Sequence, residues 1–185
     1  MDLPSHALWT YVLEKAVAPE FIKTHRPFLF FSLLFAAFPD LITDAPYFIA
    51  ILCSKNKLGL KSLKEVLNFA YDLNHNRSLE YEALFPWSAR LGFFSHSFGV
   101  YFFIAIILNF ACPLLFWPFV IGYGSHLLID VPLHRGYFSS QPFYPFSQLT
   151  IPGWKDWYHI RNFQKYNYLL LAVCFIILIT INHGL

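Results

Sequence analysis

The sharpest chemical signal in the chain is a six-residue run, Ser125-His126-Leu127-Leu128-Ile129-Asp130. It sets an imidazole and a carboxylate four residues apart, one turn along a helix, so both can reach a single ion. Eleven acidic residues occur in the chain, and three of them lie inside apolar stretches: Asp40, Asp44 and Asp130. A carboxylate left alone in hydrocarbon costs about 2.5–3.5 kcal/mol on insertion scales, so each needs a metal, a cation or water. The nearest basic residue to Asp130 is Arg135, and Asp40 and Asp44 have none within four residues. Capping or turn roles are the plain alternatives, above all for Asp40, which follows Pro39.

The histidines sort by depth. His96 opens one apolar stretch (FFSHSFGVYFF) and His126 with Asp130 ends the next. If the two stretches form an antiparallel pair turning near residue 112, His96 lies 16 residues before the turn and His126 lies 14 after it. That brings them to one membrane level. Asp40 and Asp44 precede the basic stretch 55–64 and can reach the same level, and His6 on an amino-terminal helix can cover it. His6, Asp40, His96, His126 and Asp130 are therefore the candidate ligands. His134 extends the row to i+8, but Pro132 is expected to interrupt the helix and send it elsewhere in the same cavity. His75 is expected to be solvated, and His25 and His183 to be incidental. Asp156 and His159 read as wet neighbours of an interfacial belt of Trp154, Trp157 and Tyr158.

The elements that must position these groups are membrane elements. The 185 residues are 57% hydrophobic and 21% aromatic, and only 13% are charged, against roughly 25% in soluble domains. Disorder and collagen-like repeats are excluded by 22 Phe and 11 Tyr with only 8 Gly, and a net charge of +2 gives no argument for nucleic acid. Cys53, Cys112 and Cys174 form neither a CxxC pair nor an even disulfide set. Residues 93–131 divide near Asn109–Pro113 into two halves, each close to the ~20 residues a crossing helix needs. Residues 166–185 offer a further span, and 28–53, with Pro39 and Pro46, reads as a broken or re-entrant one. The expected fold is all-α: one membrane-embedded domain over 1–185, a helical bundle of three to four spans. A short amino-terminal helix capped by Ser5 and a helical insert at 54–92 complete it. Within the insert, Leu63, Val66, Leu67 and Ala70 are expected on one apolar face. The amino end has no basic n-region and no small-residue cleavage site, so no signal peptide is expected.

Thirteen basic residues set the topology. If 28–53 spans, three lie on the amino-terminal side and ten on the other; if it re-enters, all lie on one face. In both cases loops 54–92 and 132–166 share a side, which the positive-inside rule makes cytoplasmic.

These residues carry a resemblance. PSH at the amino end, FPD in the first apolar stretch, His96-Ser97 heading the next and GYGSHLLIDVPLHRGYFSSQPFYPFS at 122–147 look like the membrane-bound, metal-dependent hydrolase family. Its members are bacterial inner-membrane proteins of the YdjM-like type. Of that family's His-Arg-Gly-x-Thr-His-Ser element the chain keeps His96-Ser97. More distantly, HLLIDVPLHRG is similar to the His-x-x-x-Asp and Pro-x-His-x-Gly element of zinc-dependent phospholipase C, all-helical enzymes with clustered zinc. The resemblance implies one or two Zn2+ ions held by His6, Asp40, His96, His126 and Asp130. It also implies hydrolysis of a phosphoester or lipid by an activated water. In that reading Asp44 is general base or partner to a ligand His, and His134 is catalytic. Arg135 binds an anionic headgroup, unless it is only a topology anchor. Partners are the bilayer and such a substrate, with no nucleic acid and no obligate protein. Two other classes stay open: a small carrier or channel with an Asp/His pathway, and a non-catalytic adaptor whose basic insert recruits a cytoplasmic partner.

Overall fold

The computed structural model describes residues 3–76, 78–135, 139–155, 157 and 160–183. The sequence expectations for Arg77, Asp156, Tyr158 and His159, and for the side chains of His75 and His183, fall outside them. The described chain is helical: α1 (Leu3–Val17), α2 (Pro19–Thr24), α3 (Arg26–Ser54), α4 (Leu63–Asn76), α5 (Ser78–Leu84), α6 (Pro86–Ser95), α7 (Phe98–Ala111), α8 (Pro113–Leu133) and α9 (Phe163–His183). Among the described residues only an isolated antiparallel bridge, Ser140 to Ile151, departs from this pattern. By length and hydropathy α3, α8 and Phe163–Ile181 of α9 can each cross a membrane. The pair α6 and α7 qualifies together but bends by 62°. Exposed Phe102, Phe103, Ile106 and Phe110 on α7 and Leu169, Ile176 and Ile177 on α9 are the side chains that meet lipid.

The stretch expected to be broken is one helix. α3 runs 29 residues through Pro39 and Pro46. A proline inside a helix frees the carbonyl four residues back, and a packed bundle tolerates this because neighbours re-satisfy the loosened turn. The neighbour along the first half of α3 is α8. Ser32 lies against Gly122, His126 Nδ1 is 2.7 Å from the Ala36 carbonyl, and Asp40 and Asp130 meet the same histidines. All three pairings share an offset of 90 residues, so α3 and α8 are parallel and cross in the same direction. Their ends, 54 and 133, lie on one face. Ten of the thirteen basic residues follow on that face, which is therefore cytoplasmic.

α1 runs antiparallel to both. His6 meets Asp130, Thr10 hydrogen-bonds Ser125 at 2.6 Å, and Glu14 accepts from Ser32. α9 runs alongside α1: Tyr11 stacks on Phe175, and Asn167 donates to Ser5 Oγ at 2.7 Å. Ser5 is thus not the N-cap. Pro4 suits the first turn of a helix, which starts earlier, at Leu3, and leaves Ser5 buried inside it.

Asp130 sits three residues from the end of α8, whereas Asp40 is midway along α3. The last fourteen residues of α3, about 21 Å of helix, run past that level and are sheathed by α4–α6. Tyr47 and Ile51 pack with Val66, Ala70, Leu73, Tyr81, Phe85 and Ala89. The buried row of α4 is Val66, Ala70 and Leu73; Leu63 and Leu67 are exposed, because a single helix contact covers only an i, i+4, i+7 row.

A Cβ at Gly122 would stand 2.1 Å from the Ser32 carbonyl oxygen. Gly122→Ala is expected to force α3 and α8 apart and destabilise the protein by roughly 1–3 kcal/mol. Gly92→Ala, whose nearest neighbour would be 3.9 Å away, is the control. Thermal unfolding in detergent checks this, and equal midpoints for the two variants would contradict the tight register. Cys53, exposed at the inner end of α3, is expected to react with a membrane-impermeant maleimide in inside-out vesicles and not in intact spheroplasts.

Candidate metal centre

α8 delivers two groups to the centre. His126 and Asp130 face the same side one turn apart, with Nε2 and Oδ2 separated by 3.1 Å, and both are buried. His126 comes close to the α3 backbone because Gly122, one turn before it, carries no side chain and lies against Ser32. Its Nδ1 sits 2.7 Å from the Ala36 carbonyl, in the turn that Pro39 loosens. A carbonyl only accepts, so Nδ1 carries the proton and Nε2 presents a lone pair to the centre.

The bend between α6 and α7 delivers His96. α6 ends at Ser95, and Ser97 caps α7 by accepting from the amides of Gly99 and Val100. Ser97 Oγ in turn donates to the Pro142 carbonyl at 3.0 Å, which ties the bend to the 139–146 segment. The expected continuous span from residue 93 is therefore broken at His96. His96 Nδ1 lies 2.9 Å from the Gly92 carbonyl, so in the neutral ring its Nε2 is also a lone pair. The two Nε2 atoms stand 3.1 Å apart. Two lone pairs at that distance repel unless a cation or a proton lies between them. Asp130 Oδ2 is 3.1 Å from one and 3.4 Å from the other.

α1 delivers His6, fully buried and stacked on His126 with ring centroids 3.8 Å apart. Its Nε2 is 3.1 Å from Asp130 Oδ1 and 3.9 Å from Asp40 Oδ2, and its buried Nδ1 has no hydrogen-bond partner among the described residues. α3 delivers Asp40, whose Oδ1 is 3.8 Å from both His96 and His126. Ligand atoms of His6, Asp40, His126 and Asp130 all lie within 4.8 Å of one another. Tetrahedral zinc with bonds near 2.0–2.1 Å holds its donors about 3.3 Å apart, so the donor set fits a divalent ion in type and spacing.

His134 does not point away. α8 continues to Leu133 despite Pro132, and the backbone turns extended only at His134. Its Nε2 then reaches Asp130 Oδ1 at 3.3 Å. Pro132 does not break the row because a proline in the last turn removes only one helical bond. The exit is held from outside. The amides of Gly153 and Trp154 donate to the His134 and Pro132 carbonyls at 2.8 and 2.9 Å, and a Cβ on Gly153 would stand 2.4 Å from the His134 oxygen.

Asp44 is the exception. It is one turn beyond Asp40 and exposed, and among the described residues no hydrogen bond joins it to a histidine. The expected partner to a ligand His is replaced by backbone carbonyls, those of Ala36 and Gly92. Neither they nor Gly153 carry a side-chain signal. Arg135 is exposed, with Nη1 3.5 Å from the Trp154 carbonyl. Among the described residues the centre is most open at one edge: the side chains of His96 and His134 are 25% and 20% exposed, those of His6 and His126 not at all.

Binding to the folded state alone stabilises a protein by about 2.7 kcal/mol at a ligand concentration of 100 Kd. Zinc is expected to raise the unfolding midpoint of the wild type and a chelator to lower it. Asp130→Asn should respond to neither. An identical response in wild type and variant would contradict the site.

No curated protein and no solved structure matches the chain. The sequence model of one family matches residues 1–184, nearly the whole length, and is described as YdjM inner membrane protein. With several apolar crossing helices, a His/Asp centre at their cytoplasmic end and that match, the chain belongs to the YdjM inner membrane protein family.

Proposed function

We propose that this protein is a membrane-bound, metal-dependent hydrolase acting on a phosphoester, carried by a lipid, at the cytoplasmic headgroup level. One observation carries the reading. Two imidazole Nε2 atoms, each with its Nδ1 committed to a carbonyl, stand 3.1 Å apart beside two carboxylates in an apolar bundle. A divalent ion bound there supplies Lewis-acid polarisation of a phosphoryl oxygen and lowers the pKa of water from ~15.7 toward ~7.

The protein's part is placement. His126 and His96 are locked in tautomer and orientation by the Ala36 and Gly92 carbonyls, which also raise their basicity as ligands. The buried wall of His6, Thr10, Ser125 and Leu127 closes the far side, so water and substrate arrive along the His96–His134 edge. Asp44, exposed one turn from Asp40, is suited to take a proton at that edge. Arg135, directly after His134, presents a planar guanidinium that matches phosphate oxygens in bidentate fashion. The depth of the centre favours a lipid over a soluble substrate. It lies near the inner ends of α8 and α9, where phosphate groups of the bilayer begin, and the apolar flanks of both helices are open to lipid.

The test is turnover of bis(p-nitrophenyl) phosphate and of phospholipid in mixed micelles by zinc-loaded protein. His126→Ala and Asp130→Asn are expected to lower the rate at least about 100-fold, the scale of losing a metal-centred nucleophile. Arg135→Ala is expected to weaken the lipid substrate's KM more than the small diester's. Undiminished turnover in both centre variants would overturn the reading, as would zinc-independent ion flux in proteoliposomes without hydrolysis.

A further inference from the structure

The way the two carboxylates divide their oxygens goes further than a single ion. Asp130 turns Oδ2 toward His126 and His96, at 3.1 and 3.4 Å, and Oδ1 toward His6 and His134, at 3.1 and 3.3 Å. Asp40 makes the same division, with Oδ1 3.8 Å from His126 and His96 and Oδ2 3.9 Å from His6. Six side chains therefore sort into two sets, each with two imidazole nitrogens and one oxygen from each aspartate. Four of these side chains, His6, Asp40, His126 and Asp130, suffice for one ion, and His96 and His134 are then left over. Four imidazoles and two carboxylates exceed the four donors of tetrahedral zinc, so a single ion would leave two of the histidines with only hydrogen bonds to the aspartates.

We infer that the centre is dinuclear: one divalent ion on His126 and His96, a second on His6 and His134, with Asp130 and Asp40 as bridges. This rests on the metal-centre reading above and adds His134 to the ligands. Two independent features support the second half. His6 is completely buried, and its Nδ1 finds no partner among the described residues, so the ring is held there for what its Nε2 meets. His134 is delivered by a backbone exit that Gly153 and Trp154 pin from outside, an arrangement that a merely solvated histidine does not need. The formal charges also fit the proposed substrate class. Two dications against two carboxylates leave an excess of two positive charges, which suits a phosphate anion and a nucleophile drawn from water. Two-metal phosphoryl-transfer sites place their ions about 3.5–4 Å apart, the span that one carboxylate bridges.

The experiment is metal analysis of detergent-purified, zinc-saturated full-length protein, with cobalt-substituted protein examined by electron paramagnetic resonance. Wild type is expected to hold about two ions per chain, their cobalt signal suppressed by coupling through the bridges. His134→Ala is expected to hold about one, with an uncoupled cobalt signal restored, and Asp130→Asn about none. Gly153→Ala, which moves His134 without removing it, should weaken the second ion and leave the first. Because His134 is partly exposed and lies past the end of α8, its loss leaves the fold intact, as an unchanged gel-filtration profile would show. One ion in wild type, unchanged in His134→Ala and with an uncoupled signal, overturns the dinuclear centre and leaves the hydrolase reading standing. No tightly held ion in wild type overturns both.

Discussion

Two buried aspartates drawn together inside a bundle of apolar helices set the terms for this fold. Asp40 and Asp130 approach the same histidines from different helices, and no lysine or arginine is within ion-pair reach of either among the described residues. In a low-dielectric interior like charges at such separations repel by several kcal/mol. Four imidazoles moderate the repulsion only if protons or metal ions sit among them. In the neutral tautomers fixed by Ala36 and Gly92, the Nε2 lone pairs of His126 and His96 face the carboxylates. Lone pairs beside carboxylates suit the coordination of a cation.

Much of the architecture serves this convergence. The parallel pairing of α3 with α8 puts Asp40 level with Asp130, and the absence of a side chain at Gly122 allows the helices to approach until Ser32 touches the α8 backbone. α1 then fills the groove in the opposite direction, and its polar row of His6, Thr10 and Glu14 matches Asp130, Ser125 and Ser32 rung for rung. Such small and hydroxyl-bearing contacts are what hold helices together where lipid competes equally for apolar surface. The bend at His96 gives up helical hydrogen bonds, and the segment around Pro142 restores them through Ser97 and Gly99. The cytoplasmic helices α4–α6 cover the part of α3 that outruns the bilayer, where its apolar Tyr47 and Ile51 would otherwise meet water.

What was legible in the sequence followed from two periodicities and one cost. The i, i+4 spacing of His126 and Asp130, the absence of cations nearby, and nearly equal distances from a turn near residue 112 suffice to bring His96 to His126. They suffice because helical rise is nearly constant. Local rules failed where tertiary packing outweighed them. Pro39 and Pro46 suggest a broken span, yet α3 stays one helix, packed by α8 and α1 along its first half and by α4–α6 along its second. Pro132 suggests a helix end that sends His134 elsewhere, yet in the last turn it costs one bond and the row continues. Ser5 is a plausible cap, but Pro4 starts the helix earlier and Asn167 claims the hydroxyl. The groups that lock the ligands, the carbonyls of Ala36 and Gly92 and the amides of Gly153 and Trp154, are backbone atoms. Side-chain identity does not announce them.

The measurement that bears most directly on the shared cation is zinc K-edge X-ray absorption on the purified protein. The account predicts nitrogen and oxygen neighbours only, at about 2.0–2.2 Å, with the outer-shell scattering of at least two imidazole rings. That pattern should vanish in Asp130→Asn. A sulfur shell near 2.3 Å, or a spectrum of hydrated zinc without imidazole scattering, would contradict it.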